Sequence, residues 1–471
     1  MGSEHPGGLS SVHVLPWILV GLLFAVYSTV SVRLHQRMLT TGYDLGIFEQ
    51  AVRSYAHGSA PVSALKGPGF SLLGDHFSPI LASLAPFYRL FPSPVTLLIV
   101  QAVLLSIAAL PLSRWAYRSH GRVAALVTGL GYGASWGIAS AVGFDFHEVC
   151  YAVPLLAFSV TALGNRRWRA AAGWALPLLL VKEDLGLTVM AIGIYIAWKG
   201  SRRLGLALAF VGVAGTLLEM LVVIPAFNPS GSYAYSGSLL GAAGSQGGTL
   251  RSLLYLPMDL LTPQTKVITL VLLLAPTGFM ALRSPLMLLA LPTLGWRFLS
   301  ENPAYWGTSY QYSAVLMPII FGAFVHSLSR WAPDASLQNR RTLRATMTIS
   351  SAFTLLLFPG FALSQVFDPL TWETPPRAAA AHRLMEKIPD DVTVAASNRL
   401  VPQLTNRCTV TLFGSPHTPL TADWIFVDTE SPMGFPISVQ EEAESLGQAR
   451  KHGYRTVAQD DGFLLLHRST A

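Results

Sequence analysis

Four short clusters hold the residues of this sequence best suited to chemistry: YDLGIFEQ around Asp44, GDHFSP around Asp75 and His76, FDFHE around Asp145 and His147, and the run Lys182, Glu183, Asp184. An ionised carboxylate takes a proton from a hydroxyl, and an imidazole beside a carboxylate shares a proton or ligates a metal. Asp44 is the candidate base, although a carboxylate just ahead of the helix-like LGIFEQAVRSYA also suits a helix N-cap. Glu49, about one and a half helical turns further on, ranks behind it as a substrate contact. Asp145 and His147 alternate and so share a face if FDFHE is extended, which with His76 makes a candidate set for a divalent cation, Mg2+ or Mn2+. No H-E-x-x-H or comparable ligand motif accompanies them.

Four further residues are candidates for binding substrate. Lys182 either neutralises Glu183 and Asp184 or offers its charge to a ligand. Glu219 interrupts the apolar stretch LLEMLVVIP, where a carboxylate is expensive unless paired or hydrated. Arg297, in LGWRFLSEN, suits bidentate contact with a phosphate, or a pair with Glu301 on the same helix face. Tyr310 belongs to AYWGTSYQYS, whose rings could stack on a sugar or form an interfacial aromatic belt.

The elements that must position these residues are apolar helices. Of 471 residues 51% are hydrophobic and only 12% charged, against roughly 25% charged in a soluble domain. The apolar residues fall into about eleven runs, near 12–32, 95–112, 123–142, 149–163, 170–181, 185–198, 204–224, 267–282, 286–299, 313–328 and 345–364. This predicts a polytopic α-helical membrane protein. A first connection over residues 33–94 carries two amphipathic stretches suited to the interface, and residues 225–263 read as a flexible Gly/Ser/Tyr-rich loop. Arginines cluster in alternate loops, at Arg114 to Arg122, Arg166 to Arg169, Lys199 to Arg203, Arg283, and Arg330 to Arg344, whereas the acidic clusters occupy the others. Positive loops stay in the cytoplasm, so the acidic clusters and the C-terminus are expected outside.

Residues 1–364 carry a net charge of +11, and residues 365–471 carry −4. The basic excess thus belongs to the membrane part and, lacking interleaved aromatics, argues against a nucleic-acid partner. Cys150 and Cys408 stand too far apart in sequence to suggest a disulfide framework or a zinc cluster. After residue 364 the long apolar runs stop, and VTVAAS, CTVTLF, DWIFVD and GFLLLHR alternate as strands around the helical QEEAESLGQARKHG. This predicts a small extracytoplasmic α/β domain over 365–471.

These features together resemble the GT-C superfamily of membrane glycosyltransferases: a long first external loop with an acidic residue, acidic clusters on later external loops, and a C-terminal external domain. YDLGIFEQ, GDHFSP, DFHE and KEDLGL resemble, more narrowly, a bacterial family of predicted membrane proteins of unknown function within it. The resemblance implies a GT-C-like fold in the bacterial cytoplasmic membrane and an inverting sugar transfer at its outer face. It implies a polyprenyl-phosphate-linked donor and a cell-envelope glycan, lipid or protein acceptor. By position Asp44 matches the catalytic acidic residue of the first loop, though no tight DxD pair occurs there. Lys182, Arg297 or a divalent cation held by Asp145, His147 and His76 would then stabilise the departing phosphate. A transporter or flippase for a lipid-linked or small anionic solute is the alternative, using the same clusters as a binding site or proton relay.

Overall fold

The structure, a computed structural model, describes residues 8–234, 258, 260–330 and 337–468. It is dominated by helices, with one small sheet near the C-terminus. Among the described residues, three helical stretches are long and apolar enough to cross a membrane: Val14–Gln36, Pro94–Gly133 and Arg202–Phe227. Five shorter apolar helices accompany them, at Glu148–Gly164, Leu185–Lys199, Gln264–Thr277, Pro285–Leu299 and Ala314–Leu328. Most of the loop expected over 225–263 lies outside the described residues.

Proline and glycine account for where the apolar runs break. Pro111 has no N–H to offer the carbonyl of Ile107, and the helix Pro94–Ile107 pauses there before resuming as Ala109–Gly133. Arg114 and Arg118 therefore lie on a helix, and the turn expected across 114–122 is confined to His120 and the left-handed Gly121 (φ +77°). Pro177, Pro276 and Pro285 each open a tight 3-10 turn within an apolar run. The last apolar helix, Leu337–Leu357, starts earlier than expected and takes Arg340, Arg341 and Arg344 onto its first turns.

Charge separates to two ends. Arg330 Nη1 donates to the carbonyl of Arg283 at 3.3 Å, and Arg166 and Arg330 both act on Tyr195 and His326. The acidic clusters gather at the other end, where Asp184 begins the helix that finishes at Lys199.

The C-terminal sheet has strands β1 (Thr393–Ala396), β2 (Thr409–Leu412), β3 (Trp424–Asp428), β4 (Tyr454–Asp460) and β5 (Phe463–Arg468), in the order β2-β1-β3-β5-β4. β1 pairs parallel with β2 and β3, and β5 pairs antiparallel with β3 and β4. The helix Val439–Lys451 opens with a capping box in which Ser438 and Glu441 satisfy each other's backbone N–H. β4 escapes the sequence pattern because, as an edge strand with mostly exposed side chains, it has no apolar alternation.

This sheet domain shares its core with the membrane part. Val401, Leu404, Cys408 and Val410 belong to the same buried apolar cluster as Leu45, Phe48 and Val52 of the first loop. From helix α2 (Ile47–Ala56), Gln50 Nε2 donates to the Val410 carbonyl at 2.8 Å and Arg53 Nη1 to that of Cys408 at 3.1 Å. From helix α1 (Gly8–Gln36), Arg33 donates to the carbonyls of Thr371 and Glu373. Gly42 is required at this seam: a Cβ there would stand 2.6 Å from the Val401 Cβ.

Gly42→Ala is therefore expected to destabilise the protein by about 1–3 kcal/mol, read as a lower unfolding midpoint in detergent. Gly21→Ala is the control, because a Cβ there meets nothing within 4 Å. Equal midpoints for the two variants would contradict the tight seam.

Candidate functional site

The four clusters converge on one cavity of about 600 Å³ at the acidic end of the helices. Asp44, Asp75, His76, His147, Glu148, Lys182, Glu183, Asp184 and Tyr310 all line it. So does Lys66, which sequence reasoning misses because it sits in a Gly/Pro-rich loop with no pattern of its own.

Asp44 lies within the turn Gly42–Gly46, a single π-type turn that leads into α2. Its neighbours hold it from two sides. On one side, Asp145 accepts from Thr41 N at 3.0 Å and from Thr41 Oγ1 at 2.5 Å. On the other, the carbonyl of Asn398 accepts from Gly42 N and its Oδ1 from Tyr43 N, both at 2.8 Å. Asp44 does not act as a cap, since neither the turn nor α2 has a side-chain cap hydrogen bond. Its carboxylate instead faces the cavity, 31% exposed, with Oδ1 at 3.3 Å from His147 Nε2.

His147 is fixed in turn. Its Nδ1 lies 3.4 Å from the Asp145 carbonyl, and its ring stacks on Phe144 at 5.2 Å. Gln101 accepts from His147 N at 3.0 Å and donates to the Asp145 carbonyl at 3.1 Å, holding the segment extended. A glutamine in the middle of an apolar run was the available signal for it. Burial opposes protonation of His147, yet the Asp44 carboxylate holds its pKa above the ordinary 6.5. Burial, with Asp44 adding to it, pushes the Asp145 carboxyl up to about 7.

The rest of the wall is a series of ion pairs. Lys66 Nζ meets Asp75 Oδ2 at 3.0 Å, Lys182 Nζ meets Glu148 Oε1 at 2.9 Å, and His76 Nδ1 meets Glu183 Oε1 at 2.7 Å. Burial would raise the Glu183 pKa, but His76 and Lys182 hold it down to about 2. Tyr233 donates to the same Oε1 at 2.9 Å and Phe77 N to Oε2 at 3.2 Å. Aromatic rings close the far side, with Tyr310 edge-on to Phe144 at 4.8 Å and Phe435 edge-on to Tyr43 at 6.2 Å.

Besides Asp145, which is bonded to Thr41, three expected site residues lie off this wall. Arg297 is fully buried beneath the aromatic loop, donating to the carbonyls of Tyr305, Gly307 and Tyr312 and to Ser313 Oγ. It clamps the loop, and Glu301 stays exposed. Glu49 is buried behind the cavity, where its Oε1 accepts from Tyr88. Glu219 starts a π-type turn next to the lining residues Thr216 and Met220, within electrostatic range of Glu183 and Asp184. The proposed cation set does not fit. Asp145 is committed to Thr41, His147 to Asp44 and His76 to Glu183, and among the described residues no three His, Cys, Asp or Glu side chains converge on a metal position.

The family profile of the predicted membrane proteins DUF2079 matches residues 34–465. The chain belongs to this family. No functionally curated protein matches the chain. Among solved structures, ArnT from Cupriavidus metallidurans bound to undecaprenyl phosphate is similar at a TM-score of 0.56 and 15% identity, over 96% of this chain and 98% of ArnT. Apo ArnT from the same organism is similar at 0.52 and 13%, over 95% and 97%. The likeness in fold to ArnT therefore extends across nearly the whole chain.

Two outcomes are expected from this geometry. Arg297→Gln leaves loop carbonyls without donors and should cost about 2–4 kcal/mol of stability, while ligand affinity of the folded fraction stays near wild type. Reduced affinity with an unchanged unfolding midpoint would contradict the clamp. The raised His147 pKa makes its pair with Asp44 stabilising below pH 6.5, and that contribution is lost as pH rises through the folded value. The difference in unfolding midpoint between wild type and Asp44→Asn should accordingly shrink from acid to alkaline pH; a difference that grows with pH would contradict the pair.

Proposed function

We propose that the protein is an inverting glycosyltransferase that moves a sugar from a polyprenyl-phosphate carrier to an acceptor hydroxyl at the outer face of the membrane. The observation that carries this reading is one cavity whose wall holds a restrained, accessible carboxylate, Asp44, together with two lysines, Lys66 and Lys182, and a set of aromatic rings. The shared fold with ArnT, whose structure holds undecaprenyl phosphate, supports the donor class.

In this reading His147 orients Asp44 through Oδ1, and the carboxylate takes the proton of the acceptor hydroxyl. The acceptor oxygen forms its bond to the anomeric carbon while the bond from that carbon to the phosphate oxygen breaks. The electron pair leaves with the phosphate, so attack and departure occur on opposite faces and configuration inverts. Lys66 and Lys182 would stabilise the charge that develops on the leaving group, each supplied at a fixed position by its carboxylate partner. Tyr310 and its neighbours would cover the sugar and exclude water. The acceptor is expected on the side where Met433 and Phe435 of the sheet domain meet the cavity. The domain would then lie outside the cytoplasm.

Asp44→Asn is the direct test. The amide keeps the size of the side chain and its contact to His147 but takes up no proton, so transfer of radiolabelled sugar from a polyprenyl-phosphate donor should fall about a hundredfold or more. Wild-type transfer by a folded Asp44→Asn protein would remove the base and move the reading towards binding or transport of the lipid-linked solute.

A further inference from the structure

Lys199, Arg283 and Arg330 meet at the end of the helices opposite the candidate site, over a second cavity of about 630 Å³. The separation comes from one helix. Leu185–Lys199 begins beside Asp184 in the first cavity and ends at Lys199 in the second, 15 residues away, or roughly 22 Å at the helical rise. No residue of the second cavity lines the first, so the two are separate sites and a ligand in one does not depend on the sugar-transfer chemistry of the other.

The groove exists because the chain cannot stay helical beside it. Pro276, the left-handed Gly278 and Phe279, and Pro285 divide this stretch into short turns, which leave a slot that a continuous helix would fill. Leu282 and Leu288 line the slot and are 58% and 51% exposed. It runs along the helix Met317–Leu328 from Arg330 to Ile320, roughly 15 Å. At its charged end Lys199 Nζ sits 3.6 Å from the centre of the Trp198 ring, and Arg330 donates to the Arg283 carbonyl. All three cations are exposed, and among the described residues none forms an ion pair with a carboxylate.

Every lysine on the wall of the first cavity is matched by a carboxylate; here three cations lack one and stand at the mouth of an aliphatic slot. We propose that the groove binds an anionic phospholipid from the leaflet opposite the candidate site, with its phosphate over Lys199, Arg283 and Arg330 and an acyl chain along Leu282, Leu288 and Ile320. Charge complementarity selects the headgroup, and the slot selects a lipid over a free anion.

The test uses the full-length protein in detergent with dioleoyl phosphatidylglycerol or dioleoyl phosphatidylcholine added, and bound lipid counted by native mass spectrometry. Wild type is expected to retain the anionic lipid about tenfold better, and the triple variant Lys199→Gln, Arg283→Gln, Arg330→Gln to bring the two near parity. Leu288→Trp, which fills the slot and keeps the charges, should lower retention of the anionic lipid. Should the triple variant fail to fold, Arg283→Gln alone should still reduce the preference measurably, since its side chain is exposed. Equal retention of the two lipids by wild type, an unchanged preference in the charge variants, or full retention in Leu288→Trp overturns the proposal.

Discussion

The structure depends on how the backbone from Thr41 to Tyr43 is held. Three successive amides in a segment between two helices have no helical partners, and each finds one in a distant part of the chain. Asp145 takes the first, and Asn398 takes the second and third through its carbonyl and its side chain. Asn398 Nδ2 also donates to the Phe435 carbonyl at 2.8 Å, so one residue fixes both the Asp44 turn and the aromatic cap over the cavity. The sheet domain is thereby part of the site's scaffold rather than an appendage to it.

Electrostatics explains why the site is assembled at one end of the helices. Burying a charged group is costly unless it is paired or hydrogen-bonded, and His76, Lys182 and His147 each face an acidic partner from a different segment, while Lys66 faces Asp75 within its own loop. Together these pairs tie four segments that the sequence separates by up to about 140 positions around one cavity. Ion pairs of this kind fix position more than they add stability, which suits a site that must bind without rearranging. Asp44 differs from the other wall carboxylates in its greater exposure beside a histidine, which leaves it accessible to a ligand.

Much of this is legible in the sequence, for a physical reason. In a chain with few charges, carboxylates and histidines at membrane boundaries stand out, and so residue type and position alone single out Asp44, His76, His147 and the Lys182 to Asp184 run. The strands β1, β2, β3 and β5 are legible too, because their buried faces leave an apolar signature. What pattern does not supply is direction. Arg297 has the residue type of a phosphate ligand, yet its guanidinium is spent on loop carbonyls, a need that no spacing records. Asp145 and His147 do share a segment, but one turns to Thr41 and the other to Asp44. Lys66 and Asn398 lie in turns whose composition is ordinary, and their roles arise only from tertiary contact.

The hold of the sheet domain on the Asp44 turn is tested most directly by amide hydrogen exchange over residues 41–46 in the full-length protein, compared between wild type and Asn398→Ala. Slow exchange is predicted for this segment in wild type, comparable with the first turn of α2, and a large acceleration in Asn398→Ala while the helix Leu185–Lys199 keeps its protection. Rapid exchange over 41–46 in wild type, or protection indifferent to Asn398, would contradict the claim that the sheet domain keeps the turn in place.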